Sequence, residues 1–532
     1  DCTEVEIKMA NSIHKVLTGT LLSVALAHDV GCEQYEPDEA GGDDIALDSE
    51  GAQATEQLEQ LDRLGQLERL DKKDKTAKLE ELGKHIFFDE ISVPTGMSCA
   101  SCHDPSAGWT LKDSQVNRHQ VAATGADPGT TGSIRPPTVG YASKVGRFRA
   151  NCGFIGFCGG AFWNGRSEGN GSSLFPDAAT DNVGDEVFEQ TKGLKNLYKQ
   201  FLGPLADQAL NPFPNPVEQN IAPKEVCQHI AASEYAGVFK AAWGEAIDCS
   251  DAPYGTFGFR AFEVNFRRAA VALAAWQDSK EVNSFIAKRD IALAKDKDGQ
   301  FPLDGLTAQE NLGHDLFYAT ANSPVIINGV KKFANCAACH TDVPRPFAPG
   351  DLSPFDDGTE KHQLYSDDSF HNIGTPANPE IPGFPALDRG LEAHTGDPGH
   401  LGAHKTPTLR NVDKRPYKSF VKAYTHNGWF KSLESLVHFY NTSFIPGATA
   451  KSFGLTQCTS KPMTEKEALK ANCWPLPERD GNIPKPFLIG DLGLSLYEEA
   501  AIVAYLRTFS DTKTPAAPKQ PKKPKQPQKP KK

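Results

Sequence analysis

Two pentapeptides of the same form, Cys99-Ala100-Ser101-Cys102-His103 and Cys336-Ala337-Ala338-Cys339-His340, constrain this chain more than anything else in it. Cys-x-x-Cys-His is the spacing of c-type haem attachment. Two thiols bond the vinyl groups of one porphyrin, and the adjacent imidazole reaches the iron as proximal ligand. A single copy would also suit half a zinc site or a redox cysteine pair. Two copies in similar surroundings point to two haems. The likeness extends upstream, where Leu82-Gly83-Lys84-His85-Ile86-Phe87-Phe88 precedes the first motif and Leu312-Gly313-His314-Asp315-Leu316-Phe317 the second. Leu and Phe fall at helical spacing in both, so each motif is expected to follow a helix with one apolar face.

At 532 residues the chain has room for about two to four domains. The expected fold is mainly α, loop-rich with few strands, with two cytochrome c-like haem domains in tandem. The expected divisions are a signal peptide region at 1–27, an acidic extension at 28–80, haem domains at 81–297 and 298–510, and a Lys/Pro-rich tail at 511–532. Met9, His14 and Lys15, the apolar run Val16 to Ala27 and the small-residue Ala25-Leu26-Ala27 site read as a secretory leader, with the mature chain starting near His28. Asp29, three residues before Cys32, stands where a lipoprotein signal wants Leu. The protein is therefore expected to be exported, to the periplasm or outer surface of a Gram-negative bacterium.

Twelve cysteines fit an oxidising compartment. Four belong to the motifs, and Cys2 and Cys32 lie in or beside the leader. The other six are neighbours in sequence, and three local pairs, Cys152 with Cys158, Cys227 with Cys249 and Cys458 with Cys473, are the simplest assignment. No run beyond the leader is long and apolar enough to cross a membrane. The net charge of −12 hides a basic arm, since Thr512 to Lys532 holds eight lysines and no acid. Its prolines make it an extended segment, suited either to solubility or to salt-sensitive docking on an acidic partner or anionic surface. Nucleic acid is not an expected partner.

Helix with loop is the expected texture. Leu58 to Leu82, Phe259 to Lys288, Thr464 to Asn472 and Ser495 to Thr508 read as helices, and Glu33 to Gln60 as loose chain. Gly125 to Val139 and Asp342 to Asp357 read as loops around buried cofactors.

Several further pieces occur in order: Phe162-Trp163-Asn164-Gly165-Arg166, Asn215-Pro216-Val217-Glu218, Phe370-His371-Asn372-Ile373-Gly374, Thr406-Pro407-Thr408-Leu409-Arg410-Asn411 and Tyr424-Thr425-His426-Asn427-Gly428. With the two motifs they make residues 80 to 508 resemble the bacterial di-haem cytochrome c peroxidases and their MauG-type relatives. The resemblance implies that the N-terminal haem meets peroxide while the C-terminal haem stores or relays electrons. It makes Glu218 the distal-pocket acid/base, with Gln208 and Pro212 as the pocket glutamine and proline. Without the motif Glu218 would read as a helix-start or surface carboxylate. Trp163 resembles the tryptophan between the haems, though core packing is the usual fate of Trp.

His103 and His340 are the expected proximal ligands, with Cys99, Cys102, Cys336 and Cys339 as the attachment residues. His119, sixteen residues after His103, sits where some peroxidases carry a removable distal histidine, but the surrounding loop departs from their pattern. Classical peroxidases give the second haem a methionine. The three methionines here, Met9, Met97 and Met463, all fall elsewhere, and Tyr440 stands at that position, as tyrosine does in MauG-type enzymes. Family members also hold a calcium ion, through an Asn side chain and carbonyls near Val421 and Ala423. Arg135-Pro136-Pro137-Thr138 stands where that Asn is expected, so one calcium ion stays open as a cofactor but without its side-chain ligand.

Three functions are open at this point. The first is a MauG-like enzyme that uses hydrogen peroxide to form a high-valent di-haem state and oxidises an aromatic residue, Trp foremost, of a protein substrate. The second is a peroxidase drawing electrons from a small redox protein. The third is a non-catalytic electron carrier, against which the Gln208, Pro212 and Glu218 constellation counts.

Overall fold

A computed structural model describes residues 49–152, 155–169, 185–341, 362–384, 387–443, 456–458, 462–480, 483 and 490–518. The leader, the Asp342 to Asp357 loop and most of the basic tail lie outside them. The chain clusters into two units, 1–66 and 67–532. In the first, the described residues are the opening turns of a helix that runs Ser49–Phe88. Ser49 to Gln60 is thus helical where loose chain was expected, because its Ala, Gln, Glu and Leu are good helix formers.

Helices dominate the second unit, and the strands are two- or three-residue pairs that pin loops. Two large apolar cores form, beside smaller clusters. One runs from Leu79 to Val282, and the other from Leu316 to Phe509. The duplicated Leu-Gly steps explain how each is built. A Cβ on Gly83 would stand 1.9 Å from the Ala272 carbonyl oxygen, and one on Gly313 2.0 Å from that of Ala501. Glycine therefore lets the helix before each haem motif cross a partner at backbone contact: Ser49–Phe88 on Ala261–Asp278, and Ala308–Tyr318 on Leu496–Arg507.

The helix expected over Phe259 to Lys288 stops at Asp278, with Ser279 in an extended conformation, and a separate helix runs Lys288–Lys295. Val282 is buried in the first core from the intervening turn, so its apolar character comes from packing and not from helical periodicity. The helix Leu496–Arg507 begins at a capping box in which Ser495 and Glu498 satisfy each other's backbone N–H groups. The three local disulfides, Cys152–Cys158, Cys227–Cys249 and Cys458–Cys473, are all formed. Among the described residues no helix is long and apolar enough to cross a membrane.

Candidate functional site

A single helical turn, Cys99–Cys102, carries the first two thiols, and the His103 N–H closes it on the Cys99 carbonyl at 3.0 Å. The chain then turns tightly, with the Trp109 N–H on the Asp104 carbonyl at 2.9 Å. Gly108 and Trp109 have φ of 71° and 64°, and a tryptophan adopts that region only under constraint. The turn aims the Trp109 carbonyl at the imidazole, which meets it through Nδ1 at 3.3 Å. A carbonyl only accepts, so Nδ1 carries the proton and Nε2 is the nitrogen left for iron. Burial lowers the His103 pKa to about 4 against the carbonyls of Trp109 and Pro137, so the ring is neutral, as a metal ligand must be.

The segment carrying Glu218 folds back onto this turn. The Gln219 N–H meets the Pro212 carbonyl at 3.2 Å, and Gln219 Nε2 reaches the Cys99 sulfur at 3.5 Å. Asn215 Nδ2 donates to Glu218 Oε1 at 2.6 Å. Burial raises the Glu218 pKa above its ordinary value, while Asn215 and the Arg166 guanidinium pull it down. Its charge bears on both thiols, which burial pushes up to about 12. Gln208, in the helix Pro204–Ala209, joins the segment through its carbonyl, which accepts the Asn211 N–H at 3.0 Å. His119 is on the surface, its side chain 62% exposed and 3.6 Å from Glu380.

The second motif repeats the first. The His340 N–H closes on the Cys336 carbonyl at 3.0 Å, and His340 Nδ1 donates to the Tyr365 carbonyl at 2.8 Å. Cys336, Cys339 and His340 line a largely apolar cavity, together with Leu433, Leu436, Val437 and Tyr440. Those four form one stripe of the helix Leu433–Thr442, at i, i+3, i+4 and i+7. His438 is off the stripe, and its Nδ1 lies 2.9 Å from Glu499. Burial pushes the Tyr440 hydroxyl pKa up, and the neighbouring cysteines add to it. A ferric ion held there would act in the opposite direction, because its charge would stabilise the phenolate. No methionine is among the described residues lining this cavity, and the Met463 carbonyl instead holds the Trp429 indole at 2.8 Å.

Two neutral, half-buried imidazoles with Nδ1 engaged, and the four described cysteines outside the disulfides, form a donor set that fits two covalently attached haems. Trp163 lines the same cavity and is 7% exposed. Its indole N–H donates to the Arg135 carbonyl at 2.8 Å, the Arg135 guanidinium lies 5.2 Å from its ring, and the His426 ring lies 6.5 Å away.

One cluster escaped the sequence reading. His404 and His426 stack with ring centroids 3.4 Å apart, His404 Nε2 lies 2.7 Å from Asp388 and His426 Nε2 lies 3.0 Å from Glu478. Although burial opposes it, His404 and His426 hold the Asp388 carboxylate well below the usual range. His426 belongs to a motif noted above, but its partners come from distant segments that carry no local signal.

Residues 77–298 match the family model described as di-haem cytochrome c peroxidase. The methylamine utilization protein MauG of Paracoccus denitrificans is 26% identical over 446 residues, spanning 82% of this chain and 89% of that protein. The cytochrome-c peroxidase IdrP2 of Denitromonas iodatirespirans is 24% identical over 437 residues, spanning 77% and 85%. Among solved structures, the diheme peroxidase BthA from Burkholderia thailandensis aligns with a TM-score of 0.52 at 22% identity, over 82% of this chain and 86% of that one. That likeness supports the fold, mostly helical and loop-rich. Paired attachment motifs, two tethered imidazoles and these matches together make the chain similar to the di-haem cytochrome c peroxidase and MauG oxidoreductases, with residues 77–298 matching their family model and a donor set that suits two haem c groups.

Proposed function

We propose that the protein is a MauG-like enzyme that uses hydrogen peroxide to oxidise an aromatic side chain, Trp foremost, of a protein substrate. The observation that carries this reading is Tyr440 on the helix stripe facing the cavity of His340, with no methionine among the described lining residues. A phenolate is a hard anionic donor that favours ferric and higher iron, which suits a centre holding oxidising equivalents better than one kept reduced. When bound, the haems supply the peroxide cleavage and the storage of two oxidising equivalents.

The chain's own residues supply the rest. Peroxide takes up two electrons and two protons to leave as two waters, and the electrons come from the substrate. Glu218, half-buried and anchored by Asn215, is the group that accepts a proton from one peroxide oxygen and returns it to the other. Gln208 and Pro212 shape that pocket. Trp163 is the aromatic carrier of charge between the centres, and Tyr440 sets the electronics of the second. The disulfides support export to an oxidising compartment. The basic tail would serve docking on an acidic partner, and binding would then weaken with salt.

Optical and EPR spectra of the all-ferric protein, before and after one equivalent of peroxide without reductant, test the reading. A prompt response of both haems is the expected result. No response until one haem is reduced would assign the protein to conventional peroxidases fed by a small cytochrome.

A further inference from the structure

We infer that the junction between the two haem segments carries cations of its own, Lys422 and Arg135, in place of a bound calcium ion. Of the two carbonyls expected to hold calcium, that of Val421 is already committed to a donor. The Val421 carbonyl accepts a hydrogen bond from Asn117 Nδ2 at 3.0 Å, and the same amide nitrogen donates to the Leu111 carbonyl at 3.0 Å. Asn117 is buried, and flipping its amide would set its oxygen against two carbonyl oxygens, so the NH2 end faces Val421. One residue on, the Lys422 ammonium donates to the carbonyls of Ala107 at 2.8 Å, Asn411 at 3.1 Å and Lys414 at 3.3 Å. Three N–H groups meet three acceptors, and the bonds join the turn after the first haem motif to the second half of the chain.

Arg135, in the stretch where the Asn is expected, donates through Nε to the Thr425 carbonyl at 2.8 Å. Calcium takes about six to eight oxygens at roughly 2.3–2.6 Å, with carboxylates usually among them. The carboxylate that acts on Lys422, Asp413, already receives Tyr424 at 2.6 Å and the guanidinium groups of Arg415 and Arg507. Among the described residues no group of three or more His, Cys, Asp or Glu is arranged to hold a metal ion.

The packing around the ammonium is built for it. A Cβ on Gly108 would stand 2.5 Å from the Asn411 carbonyl oxygen and 2.7 Å from Lys422 Nζ, so glycine is needed both for space and for its φ of 71°. Burial lowers the Lys422 pKa to about 7, Arg135, Arg415 and Lys414 repel its charge, and Asp413 favours it. The three carbonyls oppose deprotonation, because a neutral amine has two N–H groups for three buried acceptors. The positive charge at this junction is therefore covalent to the chain, and a chelator cannot remove it.

Calcium analysis of the purified di-haem protein, with its thermal midpoint and ferric spectra before and after exhaustive dialysis against EGTA, tests the inference. The expected result is far less than one calcium per chain and no change on dialysis. One tightly held calcium per chain, or a shift in midpoint or spectra on EGTA treatment, would overturn it. Lys422→Met should lower the midpoint by several degrees and Lys422→Arg by less, and a Met variant as stable as the parent would discard Lys422's part. Should the Met variant fail to fold, the calcium content of the unaltered protein still decides.

Discussion

Replacing Glu218 with Gln isolates proton transfer from everything else the residue does. Gln keeps an oxygen for Asn215 Nδ2, and the backbone bonds of residue 218, to the Asn215 carbonyl at 3.0 Å and from the Ala126 N–H at 2.7 Å, do not involve the carboxylate. The loop that holds Gln219 against Cys99 therefore survives, and with it haem attachment. What is lost is a group that takes and returns a proton, typically worth about 10²–10⁴-fold, or roughly 2.7–5.5 kcal/mol of barrier.

Stopped-flow measurement of the ferric protein with peroxide across pH reads both the size of this effect and its origin. The ionised carboxylate is the acceptor, so the rate falls on the acid side. Because burial raises the Glu218 pKa, the limb lies above the ordinary glutamate value of about 4.3. Asn215→Ala removes a bond to the charged form worth about 1.5–3 kcal/mol, which moves the limb up by about one to two pH units. Arg166→Ala moves it the same way, by less. Glu218→Gln abolishes it. In stability the same shift has the opposite face: the unfolded carboxyl ionises first, so the contribution is full below the unfolded pKa and is lost as pH rises through the folded one. A Gln variant reacting within threefold of the parent, or an acid limb unmoved in Asn215→Ala, would refute the assignment.

Tyr440→Phe should change the optical and EPR signature of the second haem and spare the first, whereas His438→Ala should leave both; an unaltered spectrum in the Phe variant would assign the ligand elsewhere. Gly83→Ala and Gly313→Ala each force a Cβ into a carbonyl of the crossing helix and should cost about 1–3 kcal/mol by denaturant titration, the two losses adding because they fall in separate cores. Replacing Cys458 and Cys473 with Ser opens a loop of sequence separation 15 and should cost about 3 kcal/mol; an unchanged denaturation midpoint would show that the pair adds nothing to the fold.

What the sequence made legible was local. Ser495 to Thr508 differs from the observed Leu496–Arg507 only by its caps, because apolar spacing and the Ser495–Glu498 box lie within one stretch of chain. The disulfides were readable because each closes between near neighbours. A segment that is apolar for reasons outside itself carries no such local signal. Val282 belongs to the first core from a turn, and its character made the helix ending at Asp278 look longer. The site divides the same way. Haem cysteines and histidines announce themselves in five residues, while Lys422 looks like any surface lysine until Ala107, Asn411 and Lys414 are folded around it. The Asp388, His404, His426 and Glu478 cluster is equally silent, since its charge partners lie 16 and 52 residues apart.

Trp163 shows how the surroundings alter the meaning of a residue that sequence reads as either packing or conduit. Its indole N–H is bound to a backbone carbonyl, which accepts a hydrogen bond but cannot take the proton. An electron drawn from the ring therefore leaves a cation, and the Arg135 guanidinium stands 5.2 Å away. At an effective dielectric of about 20, two positive charges at that distance repel by on the order of 3 kcal/mol, enough to disfavour a resting charge on the indole a hundredfold. The same guanidinium is one of the cations that replace calcium at the junction. Within the proposed mechanism, the charge that ties the two haem segments together also makes Trp163 a place that oxidising equivalents cross and do not occupy, so they remain at the two iron centres until a substrate residue supplies the electrons.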